Sequence, residues 1–570
     1  MDRSRKRAVQ AFSLTAILGV ALAVRLLYLQ EISRYPSFFV PYAGGDAALY
    51  GELAQRVAAG DLALGTEVYH YSPLYAYMLG LSYALFGESP WVARLLNTVL
   101  GTGTVALVCL CTGRLFRSAS AGLLAGLAAA LYGPFVVFDT SGLKTSLGLF
   151  LTALCLWIVA GSRRPAGLSR WAAAGAAAGL AWNLNGFLTL FVIGLFLWSC
   201  LPGAASRPTE GQGPSRPVPA SRGLPAVGFL LSSWIVIAPF FLRNWLVTGE
   251  PVLTTSTGGI HFYLGNNERA WGGYQHARGV RGSAAGHFHD ARRVAEEELG
   301  RPLTASEVSA YWKGKGLEFI RTRPKEFGYL IMQRAQMVVS PYEVPENENY
   351  QYLRSRSRFL SGLPGSGFLL PLGLAGLVLS LARPGKTFLL LLFFATYGAA
   401  LLLGLVTWRY RLPLTLALLP SAAFLIVTCI TAMREKRLRL AGACIFLTAC
   451  GWMAGRAYPV SEFQSGRDMT AAHLRMEGSR REILLLQELS STALSASPAD
   501  RDRLWVRLAE LRKSLGDLEG SAAVLQRALQ ENSERPRLWH ALAVVSEELG
   551  REDAAEEARE TARRKSRPPP

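Results

Sequence analysis

Charge is scarce in this chain, and acid is scarcer than base. Of 570 residues, 41 are Asp or Glu against 60 Lys or Arg; only 18% are charged while 50% are hydrophobic. A soluble globule carries about a quarter of its residues as charge. One soluble fold is therefore excluded, and a polytopic membrane protein with soluble additions is expected. Cysteine is scarce too: Cys109, Cys111, Cys155, Cys200, Cys429, Cys444 and Cys450 all lie in apolar runs. None has the loop spacing of a metal site, and no disulfide framework is expected. GxGxxG and P-loop runs are missing, so nucleotide phosphates have no cradle of those kinds. Acids are nearly absent from the apolar runs, which argues against an ion or proton pathway through them. The net charge of +19 comes with no nucleic-acid-binding motif. Its Arg and Lys fall largely in short loops, where they orient spans and meet lipid phosphates, and no nucleic-acid partner is expected.

What is plentiful is apolar sequence in runs long enough to cross a bilayer core of ~30 Å. Spans are expected near 8–29, 94–116, 120–138, 142–161, 171–184, 186–201, 225–246, 364–382, 387–407, 413–432 and 438–455. The first follows MDRSRKR but is too long for a cleaved signal, and reads as an uncleaved span with its cytoplasmic end first. Region 171–201 is one long helix or two short ones broken at Asn183 to Gly186. Two helices put Arg114, Arg170, Lys386 and Arg434 on the side of the N-terminus, as positive charge requires. The expected fold class is all-α: a polytopic helical membrane domain, 1–455, of about 11 spans, with a C-terminal α-helical repeat domain, 456–565, and a disordered tail, 566–570. Loops 31–93 and 247–363 and the repeats then lie outside a bacterial plasma membrane. The Pro/Gly/Ser-rich 202–224 is a flexible cytoplasmic linker.

In the C-terminal part, Trp505 and Trp539 stand 34 residues apart, and so do Gly516 and Gly550, the period of tetratricopeptide repeats. Two units would leave an apolar face bare, and the amphipathic stretch Met469 to Leu494 is expected to cover it.

The stretch Pro41 to Leu79 organises the rest. Ala47 to Ala59 reads as a short amphipathic helix with Leu49, Leu53 and Val57 on one side. Gly44 and Gly45 let the chain bend into it, and Asp46 stands at the N-cap position. A cap is the plain reading of Asp46; Tyr50, His70, Tyr71 and Pro73 on the same side of the membrane favour a site. Other ionisable residues gather at the outer ends of spans: Arg25, Asp139, Lys144, Arg243, Arg409 and Arg411. For each a plain alternative stands: Arg25 snorkels, Asp139 and Lys144 are a cap and a surface charge, and Arg243 anchors at the interface. Arg409 and Arg411 break the positive-inside trend, which an anchor has no need to do. His287 and His289 read as a loop surface rather than a metal pair. Glu343 and Glu346, in the second outer loop, are further candidates to reach the site, although sequence alone gives them no geometry.

The ordered set Arg25-Leu-Leu-Tyr-Leu, Gly45-Asp46-x-x-x-Tyr50, Ser72-Pro73-Leu74-Tyr75, Arg94-Leu-Leu-Asn97, Leu242-Arg243-Asn244-Trp245, Tyr263-Leu-Gly-Asn-Asn267 and Arg409-Tyr-Arg411-Leu-Pro413 resembles the polyprenyl-phosphate-sugar-dependent C-type glycosyltransferases. That group includes protein O-mannosyltransferases and lipid A aminoarabinose transferases, and the resemblance covers residues 8–455. It implies an inverting transfer on the outer membrane face. Asp46 is then general base on an acceptor hydroxyl, and a polyprenyl phosphate leaves. Tyr50, His70, Tyr71, Asp139, Lys144, Arg243, Arg409 and Arg411 are the implied substrate-binding residues. Two departures from the family pattern, Lys144-Thr145-Ser146 at the fourth span and Tyr71-Ser72 before Pro73, put a metal in doubt, so no metal or other cofactor is expected. The implied partners are the lipid-linked donor, membrane lipid, and a protein acceptor or partner held by the repeats. Two other classes compete: a transporter of lipid-linked sugar, which should show paired broken helices, and a membrane-anchored repeat scaffold for envelope assembly.

Overall fold

The structure is a computed structural model, and it describes residues 3–34, 39, 41, 45–160, 167–200, 223–281, 286–346, 348–382, 384–456, 498–514, 518–531 and 533–566. Among them helices form the whole of the regular structure, with no strand. The linker 202–224 except its last two residues, the stretch Met469 to Leu494, Gly44, and the tail from 567 lie outside the described residues. The chain divides into a larger unit, Met1–Arg34 with Pro41–Glu462, and a smaller one, Tyr35–Val40 with Phe463–Pro570.

In the larger unit every expected span is met by a helix. Ala8–Ile32, Pro90–Phe116, Leu224–Thr248, Arg358–Ser380, Trp408–Arg434 and Leu438–Arg456 are long and apolar enough to cross a membrane. Thr145–Ala160, Gly186–Cys200 and Thr387–Leu403 are shorter apolar helices. Leu168–Leu184 completes the set, so region 171–201 is indeed two helices. The Asn185 side chain makes the break: its Oδ1 accepts from the Phe187 amide at 3.1 Å, and its Nδ2 donates to the Tyr397 hydroxyl at 2.9 Å.

The expected span 120–138 is instead a bent pair, Ala119–Leu131 and Gly133–Asp139, turned by 61°. Pro134 explains the turn, since it has no N–H to return to the carbonyl four residues back. That carbonyl, Ala130, accepts from Arg25 Nη1 at 3.3 Å instead. The bend also brings Asp139 to Arg25, with Nη2 to Oδ2 2.7 Å and both side chains sealed from solvent. Ser146 donates to the other carboxylate oxygen at 2.8 Å.

Leu168–Leu184 lies against Leu224–Thr248 through small residues. A Cβ at Gly175 would fall 2.2 Å from the Phe229 carbonyl oxygen, so only glycine permits this approach. Close backbone contact of this kind replaces the hydrophobic drive that lipid removes.

The two segments expected to lie outside are largely helical. The first carries Asp46–Ala58 and Pro73–Phe86; the second runs from Gly258–Gly265 through Ala305–Thr322 and Pro324–Val339 to Tyr350–Arg356. The first helix buries Tyr50 and Ala54, while Leu49, Leu53 and Val57, expected to form its inner face, are only half-buried. An aromatic cluster below the helix turns Tyr50 inward: Tyr50 meets the rings of Tyr71 and Tyr75 edge-on at 5.8 and 5.0 Å.

Among the described residues the smaller unit has four helices, Pro498–Ser514, Leu518–Glu531, Pro536–Glu548 and Glu552–Lys565. The first three share a core of Leu504, Trp505, Leu508, Leu525, Ala528, Leu538 and Val545, and the fourth buries Ala555, Ala558 and Ala562. Pro536 opens its helix where a missing N–H costs nothing.

Candidate functional site

The site starts from a single turn of helix, Trp408–Arg411, within the Thr407 to Pro413 motif. Thr407 caps it, its hydroxyl accepting from the Tyr410 amide at 3.4 Å. Main-chain bonds fix the turn from both sides. Trp408 N–H donates to Val344 O at 2.9 Å, and the buried Tyr397 hydroxyl donates to Tyr410 O at 2.8 Å. Two positions apart on a helix, Arg409 and Arg411 point in different directions, and they find different partners.

Arg411 turns inward. It pairs with Glu343 at 2.5 Å and donates to the carbonyls of Met337 and Ser340 at 2.8 and 2.5 Å. Both members of that pair are nearly sealed, so Arg411 joins the framework. Arg409 turns outward and spans two carboxylates. Nη1 donates to Asp46 Oδ2 at 2.6 Å and Nη2 to Glu346 Oε1 at 2.5 Å. The Thr407 hydroxyl donates to the second Glu346 oxygen at 2.8 Å. Asp46 is 19% exposed against 10% for Arg409 and 7% for Glu346, so it is the member that faces out. Burial lifts Glu346 above the usual carboxylate range, against the pull of Arg409.

Asp46 is the first residue of its helix, and Gly45 takes the N-cap position expected for Asp46. A carboxylate in a first turn still favours the helix, but here it also reaches Arg409 across the sequence. Its Oδ1 accepts from the Tyr71 hydroxyl at 3.4 Å.

Lys144 is presented by the loop before Thr145–Ala160, and the Arg94 to Asn97 motif holds that loop. Asn97 Nδ2 donates to the carbonyls of Ser141 and Leu143 at 2.6 and 2.9 Å, and Arg94 donates to that of Thr140. Lys144 Nζ donates to the Ser72 hydroxyl at 2.7 Å. Burial, with the charge of Arg409 beside it, pushes this ammonium down to about 8. Its hydrogen-bond partner is a neutral hydroxyl, which leaves the ammonium available to an anion.

Histidines form the other wall. His70 stacks on Phe288 at 4.5 Å, and burial lowers it to about 4. His287 meets the Tyr274 hydroxyl at 2.8 Å and is likewise lowered to about 4 by burial. His261 meets the His287 ring edge-on at 5.4 Å; burial, and then the charges of His287 and Lys144, bring it down to about 3. All three are neutral at pH 7. His287 is thus buried in a π-helical turn, Gly286–Asp290, where a loop surface was expected; His289 alone is exposed. Phe288, between the two histidines, is buried and stacks on His70. Among the described residues no three His, Cys, Asp or Glu side chains are grouped to hold a metal ion.

The structure therefore brings Asp46, Tyr50, His70, Tyr71, Lys144 and Arg409 into one neighbourhood. Glu346, His261, His287 and Tyr274 join them. Three expected binding residues are engaged elsewhere. Asp139 is enclosed by Arg25, Ser146 and the backbone of Gly101, where a Cβ would fall 2.1 Å from the carboxylate. Arg243 holds the carbonyls of Ala63 and Gly65 at 2.8 and 2.6 Å, with that of Glu67, and lies over the Tyr69 ring. Arg411 is committed to Glu343. Of the residues that join the site, Glu346 carried a signal in its outer loop, but His261 and Tyr274 carried none.

Residues 70–207 match the family model described as dolichyl-phosphate-mannose-protein mannosyltransferase. The match takes in His70, Tyr71 and Lys144 and stops short of Asp46 and Arg409. Over that segment the chain is similar to that family. Among solved structures it is similar to the oligosaccharyltransferase AglB from Archaeoglobus fulgidus, solved with an inhibitory peptide and a dolichol-phosphate. Identity is 16%, TM-score 0.43, with 79% of this chain and 56% of that one covered. The chain thus spans little more than half the length of that protein. It is also similar to ArnT from Cupriavidus metallidurans bound to undecaprenyl phosphate, at 17% identity and TM-score 0.32, covering 72% of this chain and 77% of that one. No curated protein matches the chain.

Proposed function

We propose that the chain transfers a sugar from a polyprenyl-phosphate-linked donor to the hydroxyl of an acceptor on the outer side of a bacterial plasma membrane, with inversion at the anomeric carbon. Asp46 is the general base. The acceptor oxygen forms its bond to the anomeric carbon as the bond from that carbon to the phosphate oxygen breaks. The hydroxyl proton passes to Asp46, and the electron pair leaves with the lipid phosphate. Lys144 and Arg409 stabilise the charge that develops on the phosphate. Arg409 holds Asp46 in place before the donor arrives, and Glu346 keeps Arg409 in position when the phosphate competes for it. The neutral His70 and His287 and the tyrosines form an uncharged wall suited to a sugar ring.

One observation carries this reading: the outward-facing carboxylate of Asp46 shares a guanidinium with Glu346, beside an ammonium that has a hydroxyl for its partner. The helical pairs of the C-terminal unit, read as tetratricopeptide-like repeats on the same side of the membrane, recruit a protein acceptor or an assembly partner.

The test is transfer by purified protein from a synthetic polyprenyl-phosphate sugar, with Asp46→Asn compared against the parent. Loss of general-base assistance lowers the rate by about 10²–10⁴-fold. Transfer by Asp46→Asn at the parental rate would overturn the assignment.

A further inference from the structure

A second cavity stands apart from the Asp46 cluster. It has a volume of about 760 Å³ and is lined by Tyr350, Arg354, Leu363, Gly365, Ser366 and Phe368 among others. It opens at the start of the helix Ser366–Ser380, whose N-cap is Gly365. The first amides of a 15-residue helix have no partner within it and carry partial positive charge.

Two further donors converge there. A Cβ on Gly365 would lie 3.6 Å from the Tyr350 hydroxyl and 3.7 Å from Arg354 Nη1, so both atoms meet over the bare N-cap. Tyr350 is 3% exposed, and among the described residues its hydroxyl has no hydrogen-bond partner. Arg354 donates Nη2 to the Ser361 carbonyl at 3.1 Å, which leaves Nη1 toward the cavity. Glu348, the carboxylate closest in sequence to this cluster, has Arg94 as its largest cationic influence, and Glu343, which accepts from the Ser366 hydroxyl, is neutralised by Arg411. The site is therefore cationic, with an unfilled hydroxyl. Its other side is apolar: Phe368 is 62% exposed on a helix long and apolar enough to span.

We infer that this cavity binds an anionic phospholipid, its phosphate held by Arg354, Tyr350 and the amides of the Ser366 turn, and its acyl chain lying along Phe368. A free phosphate would satisfy the donors but would leave the Phe368 face uncovered. The site is separate from the donor site and does not depend on Asp46 being the base.

The full-length protein is exchanged into mixed phosphatidylglycerol and phosphatidylcholine, extracted, and its retained lipid read by native mass spectrometry. One phosphatidylglycerol per chain is expected, preferred over phosphatidylcholine. Arg354→Gln should lower retention about tenfold through loss of a charge-assisted contact, and Tyr350→Phe about threefold. Asp46→Asn should retain the lipid as the parent does. Delipidated protein is titrated in parallel with glycerol 3-phosphate. Arg354-dependent binding of that soluble anion, without lipid retention, would overturn the lipid assignment. So would equal retention by Arg354→Gln and the parent, equal retention of phosphatidylcholine, or loss of the lipid in Asp46→Asn.

Discussion

Two arginine–carboxylate pairs in the larger unit have nearly the same contact geometry and opposite meanings. Arg25 and Asp139 meet at 2.7 Å with side-chain exposures of 0% and 2%; Arg409 and Asp46 meet at 2.6 Å with 10% and 19%. In the first pair every approach is closed. Ser146 takes the free carboxylate oxygen, two carbonyls take Arg25 Nη1, and Gly101 lies against the carboxylate. Such a pair contributes specificity rather than much net stability, because desolvation offsets its attraction. In the second pair the guanidinium is shared with Glu346 and the aspartate faces out. A charge that can be reached and rearranged can do chemistry, whereas a sealed one can only hold helices together. Contact distance does not distinguish them; the surroundings do.

That contrast is broken most sharply by exchanging one carboxylate for its amide at each site. Asp46→Asn should cost about 10²–10⁴-fold in transfer and leave the thermal unfolding midpoint of the detergent-solubilised protein nearly unchanged. Asp139→Asn should do the reverse. It strands Arg25 in a buried site at a cost of about 3–5 kcal/mol, read as a lower midpoint and reduced yield in membranes. Arg25→Met combined with Asp139→Leu should recover much of that loss, since removing both charges removes the desolvation term. If Asp139→Asn proved as stable as the parent and inactive, Asp139 rather than Asp46 would be the functional acid.

The same contrast shows what sequence could reveal. The helices were legible almost throughout, because twenty apolar residues in a row have few other uses. Asp46, Tyr71, Lys144 and Arg409 were legible as candidates for one site. Their partners were not. Arg25 and Asp139 looked like separate outer charges because the pairing spans 114 positions and depends on a bend at Pro134. Glu346 stood out as an acid in an outer loop, yet nothing in its neighbourhood indicated that Arg409 lay opposite. His261 and Tyr274 belong to the site through folding of the second outer segment alone. The amphipathic pattern of the first helix misled on its inner face, because Tyr50 is drawn into aromatic contacts that hydrophobic periodicity does not register.

A smaller effect follows from Lys144, and it sharpens the role of the second cation. Burial, with the charge of Arg409 next, lowers this ammonium to about 8. Below that pH it is charged and can hold an anion; above it the charge is lost. Transfer should therefore fall as pH rises through about 8, by about tenfold in the limit where one charge-assisted contact is removed. Lys144→Arg, which keeps its charge across this range, should flatten the alkaline limb even if it lowers the plateau. A pH profile measured from about 6.5 to 9.5, centred on that lowered value of about 8 and below the ordinary lysine value of about 10.4, gives the answer. A flat parental profile, or the same decline in Lys144→Arg, would remove Lys144 from phosphate binding.

The mildest change separates holding a loop from binding a substrate. Arg243 was expected to contact phosphate, but its donors go to the carbonyls of Ala63, Gly65 and Glu67. Three backbone acceptors on one guanidinium fix the segment that leads to His70 and Tyr71, so the residue acts on the site through position. Arg243→Gln should loosen that segment, with faster proteolytic cleavage between Asp61 and Glu67. Transfer should fall less than about tenfold, since no contact made only in the transition state is lost. The loss should be in kcat and KM together, as displacement of a wall would produce. A pure rise in KM for the lipid-phosphate donor, with unchanged cleavage, would show that the guanidinium leaves the loop to bind phosphate. Arg243 would then belong with Arg409 among the cations that move, rather than with Arg25 among those that stay.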